Sequence, residues 1–336
     1  MTSTTPRTGR RSSNPAAELG YDSPPPRKGF FTDTSICIGC KACEVACKEW
    51  NMVPEDGLEL SGMSYDNTQG LGASTWRHVA FIEQPKSLAG QDTNLRHEGI
   101  DALALAGGLA TSPAPSTREQ VDLGMPGTVL PGTESGAGTA TPFRWLMESD
   151  VCKHCTHAAC LDVCPTGALF RTEFGTVVVQ DDVCNGCGYC VPACPYGVIE
   201  KREGPTGNDA VGLAQKCTLC YDRLKGDLEP ACAKACPTKS IQFGDLDELR
   251  DRAQVRVDQL VAAGETSARL YGHDPDDGVG GTGAMFLLLD EPEVYGLPPD
   301  PVVTTRDLPE MWRRAAMAAA TMLAAGIAVF AGRGDR

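Results

Sequence analysis

The chain has 336 residues, sixteen of them cysteine, and a formal net charge of −14 at pH 7. At ~150 residues per domain, that length suggests about two domains with real cores. The acidic balance argues against nucleic-acid binding, which needs an excess of Lys and Arg. Repeat period and heptad run are both missing and only one long apolar stretch exists, which excludes collagen, coiled coil and a polytopic membrane protein.

Residues 1–29 are rich in Thr, Ser, Pro and Arg without apolar periodicity, and are expected to form a disordered lead-in. Arg10-Arg11 resembles the start of a twin-arginine signal. Asn14-Pro15 and Pro24-Pro25-Pro26 follow in place of an apolar segment, so no signal peptide of its own is expected.

The cysteines then fall in four groups of four, twelve of them between Cys152 and Cys236. Group one is Cys37, Cys40, Cys43 and Cys47, and group two is Cys152, Cys155, Cys160 and Cys164. Group three is Cys184, Cys187, Cys190 and Cys194, and group four is Cys217, Cys220, Cys232 and Cys236. Proline follows the last cysteine of groups two to four (Pro165, Pro195, Pro237), whereas Lys48 takes that place in group one.

C-x2-C-x2-C turns three thiolates toward one centre, and the cysteine three residues on points to a second centre. This is the two-cluster ferredoxin pattern, intact in group three, and it implies four [4Fe-4S] clusters with the sixteen cysteines as iron ligands. Structural zinc takes two C-x2-C pairs around one ion; group four alone matches that, groups one and three do not. Disulfides between cysteines three apart are strained.

Crossed ligation pairs groups two and three as one dicluster unit and groups one and four as the other, although 169 residues separate Cys47 from Cys217. The expected ligand sets are Cys37, Cys40, Cys43, Cys236; Cys47, Cys217, Cys220, Cys232; Cys152, Cys155, Cys160, Cys194; and Cys164, Cys184, Cys187, Cys190. The alternative gives each group its own cluster.

The segments Cys37–Asn51, Cys152–Cys160 and Lys216–Arg223 resemble the four-cluster electron-transfer subunits of molybdenum or tungsten bis-pterin oxidoreductases. Within that family the β subunit of membrane-bound formate dehydrogenase is the nearest likeness, through Val294-Tyr-Gly-Leu-Pro298 and a single apolar helix after it. The resemblance covers 30–98 and 142–332 and implies a catalytic molybdenum/tungsten subunit, a membrane haem b or quinone-reactive subunit, and no substrate site or catalytic residue on this chain. The same role in a dimethyl sulfoxide, polysulfide or nitrate reductase, or in a hydrogenase, is the alternative; a zinc-stapled scaffold is a remote one.

The expected fold is α+β: two pseudo-symmetric ferredoxin-like dicluster units, one inserted in the other, plus a C-terminal transmembrane helix. Unit A comprises 30–98 and 201–244, unit B is 142–200, and 99–141 is a low-complexity insertion. A soluble extension spans 245–300 and a connector with the helix spans 301–336. Strands are expected at Trp76–Ile82, Thr176–Val179, Ile241–Phe243 and Met285–Leu289. A helix capped by Asp245 and Glu248 should carry Leu246, Leu249, Ala253, Val257 and Leu260 on one stripe until Gly264.

The run Ala315–Gly332 covers about 27 Å as a helix against a ~30 Å hydrocarbon core. Trp312, Arg313, Arg314, Arg333 and Arg336 would anchor it at the interfaces, with Ala320, Ala324, Ala328 and Gly332 facing a partner helix. The expected location is therefore the cell membrane, single-pass, on a face the charges do not fix. His154 and His157 are read as donors around the ligands or surface residues, and Lys216 as a positive charge beside sulfide or a solvated lysine. Trp50, Trp76 and Trp145 are read as core or subunit-interface anchors.

Overall fold

The computed structural model describes residues 14–56, 65–66, 68–85, 143–204 and 210–331. The chain divides into two units, residues 1–82 with 146–336 and residues 83–145. Within the second, the Arg144 guanidinium donates to the Gln84 side-chain oxygen at 3.0 Å. The insertion expected at 99–141 lies outside the described residues.

The N-terminal half contains β1 (Lys28–Asp33), α1 (Ala42–Asn51), β2 (Arg77–Pro85), β3 (Phe143–Val151), α2 (Ala159–Asp162), β4 (Leu169–Arg171), β5 (Val177–Val179) and α3 (Cys190–Ala193). The C-terminal half adds β6 (Glu200–Lys201), β7 (Ala214–Gln215), α4 (Tyr221–Lys225), α5 (Ala231–Ala235), β8 (Ile241–Asp245), α6 (Leu246–Ala262), β9 (Arg269–Tyr271), β10 (Ala284–Leu288) and α7 (Leu308–Ala331).

A four-stranded sheet in the order β8-β1-β10-β9 organises the fold. β1 runs parallel to β10, with Phe30 opposite Ala284, and antiparallel to β8, with Phe30 opposite Phe243. Side chains alternate across a strand, so the two faces receive different partners. Phe31, Met285 and Leu287 meet Leu246, Leu249 and Ala253 of α6. Phe30, Ala284, Phe286 and Leu288 face the other way, into a core shared with Cys43, Cys152, Cys217, Cys232 and Cys236. The sheet is thus the wall against which the cysteines are packed.

α1 packs against α5, and α2 against α3. The helices of groups one and four therefore lie together, as do those of groups two and three.

Three expectations need correction. Residues 14–29 are ordered: the Asn14 side chain accepts from Ala16 N and donates to the carbonyls of Pro25 and Glu173, and β1 has begun by Lys28. α6 starts where its stripe predicts, but Asp245 makes no side-chain cap; its carboxylate is paired with Lys28 across the sheet instead. The third concerns the membrane. Among the described residues no helix is long and apolar enough to cross one, which overturns the single-pass assignment and the location built on it. Charge occupies the first two turns of α7, with Glu310, Arg313 and Arg314 there and Arg314 paired to Glu310. Gly332, Arg333 and Arg336 fall outside the described residues.

Candidate metal centre

The four cysteine loops share one backbone device. In the first C-x2-C of each group the residue just before the second cysteine has positive φ: Gly39 (64°), His154 (45°), Gly186 (70°) and Leu219 (58°). That left-handed step reverses the chain and returns the next thiol toward the first. Glycine is needed where space is short: a Cβ on Gly39 would lie 2.6 Å from the Phe81 ring and 2.7 Å from Met147 Sδ.

The last cysteine of groups two to four opens a second shared turn. Gly167, Gly197 and Lys239 donate their N–H to the carbonyls of Cys164, Cys194 and Cys236, at 3.4, 3.2 and 3.3 Å. Pro165, Pro195 and Pro237 occupy the position where a fixed φ favours such a turn. Group one lacks the proline, and there the helix runs on from Cys47 to Asn51 before Met52 ends it at φ 50°. The added turn carries Asn51 to the sulfurs, its Nδ2 lying 3.7 Å from Cys47 Sγ and 3.8 Å from Cys220 Sγ.

Which thiols meet can be read from their surroundings. Cys37 lies beside Cys43, Cys236 and Cys40, and Cys47 beside Cys217, Cys232 and Cys220. Cys155 neighbours Cys152, Cys160 and Cys194, and Cys190 neighbours Cys184, Cys164 and Cys187. Between these quartets Cys43 approaches Cys232, Cys217 approaches Cys152, and Cys160 approaches Cys190.

Two of the quartets line cavities. One is bounded by Cys37, Cys40, Cys43 and Cys236, and one by Cys152, Cys155, Cys160 and Cys194. Among the described residues no three His, Cys, Asp or Glu side chains converge tightly enough to hold a single metal ion.

Burial, in most cases with neighbouring thiols adding to it, raises the pKa of ten of the sixteen. Burial pushes Cys43 up to about 11, with Cys232 adding to it against the pull of Arg77 and Ser149, and Cys160 up to about 12, with Cys152, Cys194 and Cys190 opposing Lys216. Burial again pushes Cys190 to about 11, helped by Cys184, Cys164 and Cys187. The thiols raised in this way are poor anions on their own; iron would supply the positive charge that makes them thiolates. The donor set, four sulfurs around each lined cavity, fits a [4Fe-4S] group.

Positive side chains are buried among the thiols. Lys153 pairs with Asp150 and donates to Val151 O at 3.1 Å. Lys216 donates to the carbonyls of Val177 and, at 3.0 Å, Cys217. Lys216 is buried, not solvated. His154 is buried as well; burial, with Lys216 and Arg27, drives its pKa far down, and its Nδ1 accepts from Val177 N at 3.2 Å, which puts the proton on Nε2. Trp76 joins the core, while the half-exposed Trp50 donates to Asp222 at 2.8 Å beneath the Arg223 guanidinium. Arg77, Ser149, Asn51 and Lys153 were not singled out by the sequence. The only trace was Arg77 at the head of an otherwise apolar strand pattern.

Models of the 4Fe-4S dicluster domain match residues 36–168 and 143–246. The nitrate-inducible formate dehydrogenase iron-sulfur subunit of Escherichia coli is 35% identical over 305 residues, covering 89% of this chain and 81% of that protein. The formate dehydrogenase iron-sulfur subunit of Haemophilus influenzae is 36% identical over 276 residues, 81% and 68% of the two chains. One of the chains of the anaerobic dimethyl sulfoxide reductase of Escherichia coli is 31% identical over 225 residues, 67% of this chain and 76% of that protein.

Proposed function

The chain belongs to the family of formate dehydrogenase iron–sulfur subunits, and on that premise we propose that it carries electrons through four [4Fe-4S] clusters from a molybdenum or tungsten bis-pterin catalytic subunit to a membrane haem or quinone-reactive partner. When bound, the clusters supply one-electron storage and release. Cys37, Cys40, Cys43 and Cys236 hold the first, and Cys47, Cys217, Cys220 and Cys232 the second. Cys152, Cys155, Cys160 and Cys194 hold the third, and Cys164, Cys184, Cys187 and Cys190 the fourth.

The observation that carries this reading is the pair of cavities, each lined by three thiols of one group and the last thiol of another. The approaches of Cys43 to Cys232, Cys217 to Cys152 and Cys160 to Cys190 support a single file in that order. Cys40 and Cys187, the two exposed thiols, stand at opposite ends of it, where partners can reach. Between them the chain excludes water, with Phe30, Leu219, Leu224 and Val198 buried against the cysteines. A cluster's potential responds to solvent exposure, charge and hydrogen bonds to sulfur, so these residues are what the protein contributes.

Anaerobic purification of the complex tests the proposal. The expected result is about sixteen irons and as many sulfides per chain, with paramagnetic signals that appear when formate is added. A folded, competent chain without iron overturns it. Clusters that dithionite reduces but formate does not, with a different large subunit co-purifying, transfer the role to another bis-pterin oxidoreductase.

A further inference from the structure

Arg77 is 1% exposed, at the start of β2, and its surroundings are unusual for a buried cation. Nη1 donates to the Ser149 carbonyl at 3.1 Å and to Ser149 Oγ at 3.0 Å. Ser149 Oγ is in turn 3.2 Å from Cys43 Sγ. Because the guanidinium occupies an oxygen lone pair, the hydroxyl proton is free to point at that sulfur. The guanidinium lies 4.8 Å over the Phe30 ring, which holds it in place from one side. Nε and Nη2 are buried and bond to no oxygen or nitrogen acceptor.

The sulfurs in its field come from two quartets: Cys232, Cys43, Cys217 and Cys47. The Glu148 carboxyl is in its field as well, and burial followed by Asp150 raises its pKa well above the usual carboxylate value. Lys153 and Lys216 differ. Each is fastened to backbone carbonyls, and Lys153 also to a carboxylate. Arg77 differs in having two buried nitrogens, Nε and Nη2, without an oxygen or nitrogen acceptor among sulfurs of two quartets.

We propose that Arg77 sets the reduction potentials of two clusters together, acting on one directly beside Cys232 and on the other through Ser149 and Cys43. The inference rests on the ligand sets proposed above. An electron entering either cluster adds one negative charge, no bond forms or breaks, and the neighbouring cluster supplies it. A cation fixed beside both sites favours the reduced form of each and keeps their potentials matched, which suits hopping between them. Arginine serves where lysine would not, because it cannot deprotonate and its fork reaches both sides.

Redox titration of the intact complex, followed by electron paramagnetic resonance, decides the matter. Arg77→Met keeps the length and removes the charge. It is expected to lower the midpoints of the two clusters held by Cys43 and by Cys47, by at least about tenfold in reduced-to-oxidised ratio, or 59 mV for a one-electron couple. Arg77→Lys should retain most of the wild-type value, and Ser149→Ala should lower only the cluster held by Cys43. The third and fourth clusters should not move. Normal iron content with unmoved midpoints in Arg77→Met overturns the proposal, as does an equal shift in all four. If Arg77→Met fails to assemble, Ser149→Ala decides, and an unmoved Cys43 cluster overturns it. Lack of clusters in the wild-type chain would defeat the ligand assignment and is recognisable as that.

Discussion

Asn51 and Cys220 are 169 positions apart, yet the Asn51 amide nitrogen reaches two sulfurs, 3.8 Å from Cys220 Sγ and 3.7 Å from Cys47 Sγ. This contact exists because Lys48 stands where the other groups have proline, which lets α1 continue for one more turn. Removing it with Asn51→Ala should lower the midpoint of the cluster assigned to Cys47, Cys217, Cys220 and Cys232, by an amount equivalent to about 0.5–1.5 kcal/mol for a lost hydrogen bond. Redox titration checks this; an unchanged midpoint with normal iron content would show that the amide does not address the sulfurs.

Crossed assembly makes a site-specific prediction. Cys194 borders the cavity of Cys152, Cys155 and Cys160. Cys194→Ser should therefore perturb the third cluster's spectrum and leave the fourth, with Cys184, Cys187 and Cys190, unaltered. The opposite pattern would mean that group three keeps its own cluster.

Gly39 bears a positive φ of 64° under the Phe81 ring and Met147. Gly39→Ala adds both backbone strain and a clash, costing on the order of 1–3 kcal/mol. The measurable result is a lower melting temperature and about four fewer irons per chain. Gly167→Ala, where a Cβ would meet open space, should cost less, from strain alone.

Glu148 yields a pH dependence. Burial, then Asp150, raises its pKa well above the usual carboxylate value, against the opposing pull of Lys153 and Arg77. The native state therefore holds a proton that the unfolded chain releases near pH 4.3, and stability conferred by this group falls as pH rises through the interval above that value. Glu148→Gln removes the dependence. Its unfolding free energy should match wild type near pH 4 and exceed it increasingly as pH rises above that, by up to about 1.4 kcal/mol per pH unit within the interval. A difference that stays constant with pH would mean that Glu148 is ionised in both states.

Spacing made much of this molecule readable. The four groups, the prolines after Cys164, Cys194 and Cys236, the β-branched run at Val177–Val179 and the stripe of Leu246, Leu249 and Ala253 all have local causes, and local causes leave local patterns. Glycine at 39 and 186 hinted at the left-handed step, but His154 and Leu219 take it too, held by tertiary context with no glycine to announce it. β1 was missed as the central strand because Lys-Gly-Phe-Phe-Thr-Asp is short and mixed, and its membership is decided by β8 and β10 far along the chain. Arg77 was invisible for a related reason: a buried cation makes sense only once the sulfurs that surround it are in place. The apolar run at the C-terminus suggested a membrane span, yet among the described residues no helix is long and apolar enough to cross one.

The pairing of β1 with β8 and β10 also dictates a timetable. Cys152 to Cys194 leave the ribosome close together, so the inner thiols can gather early. Cys37, Cys40 and Cys43 must wait for Cys236, and their supporting sheet waits until Leu288 has been made. At ~5–20 residues per second that interval lasts on the order of 10–50 s. During it the outer sulfurs stand open to oxygen and stray metals, so the growing chain is most vulnerable at its beginning, and its last-made strand is what closes the door.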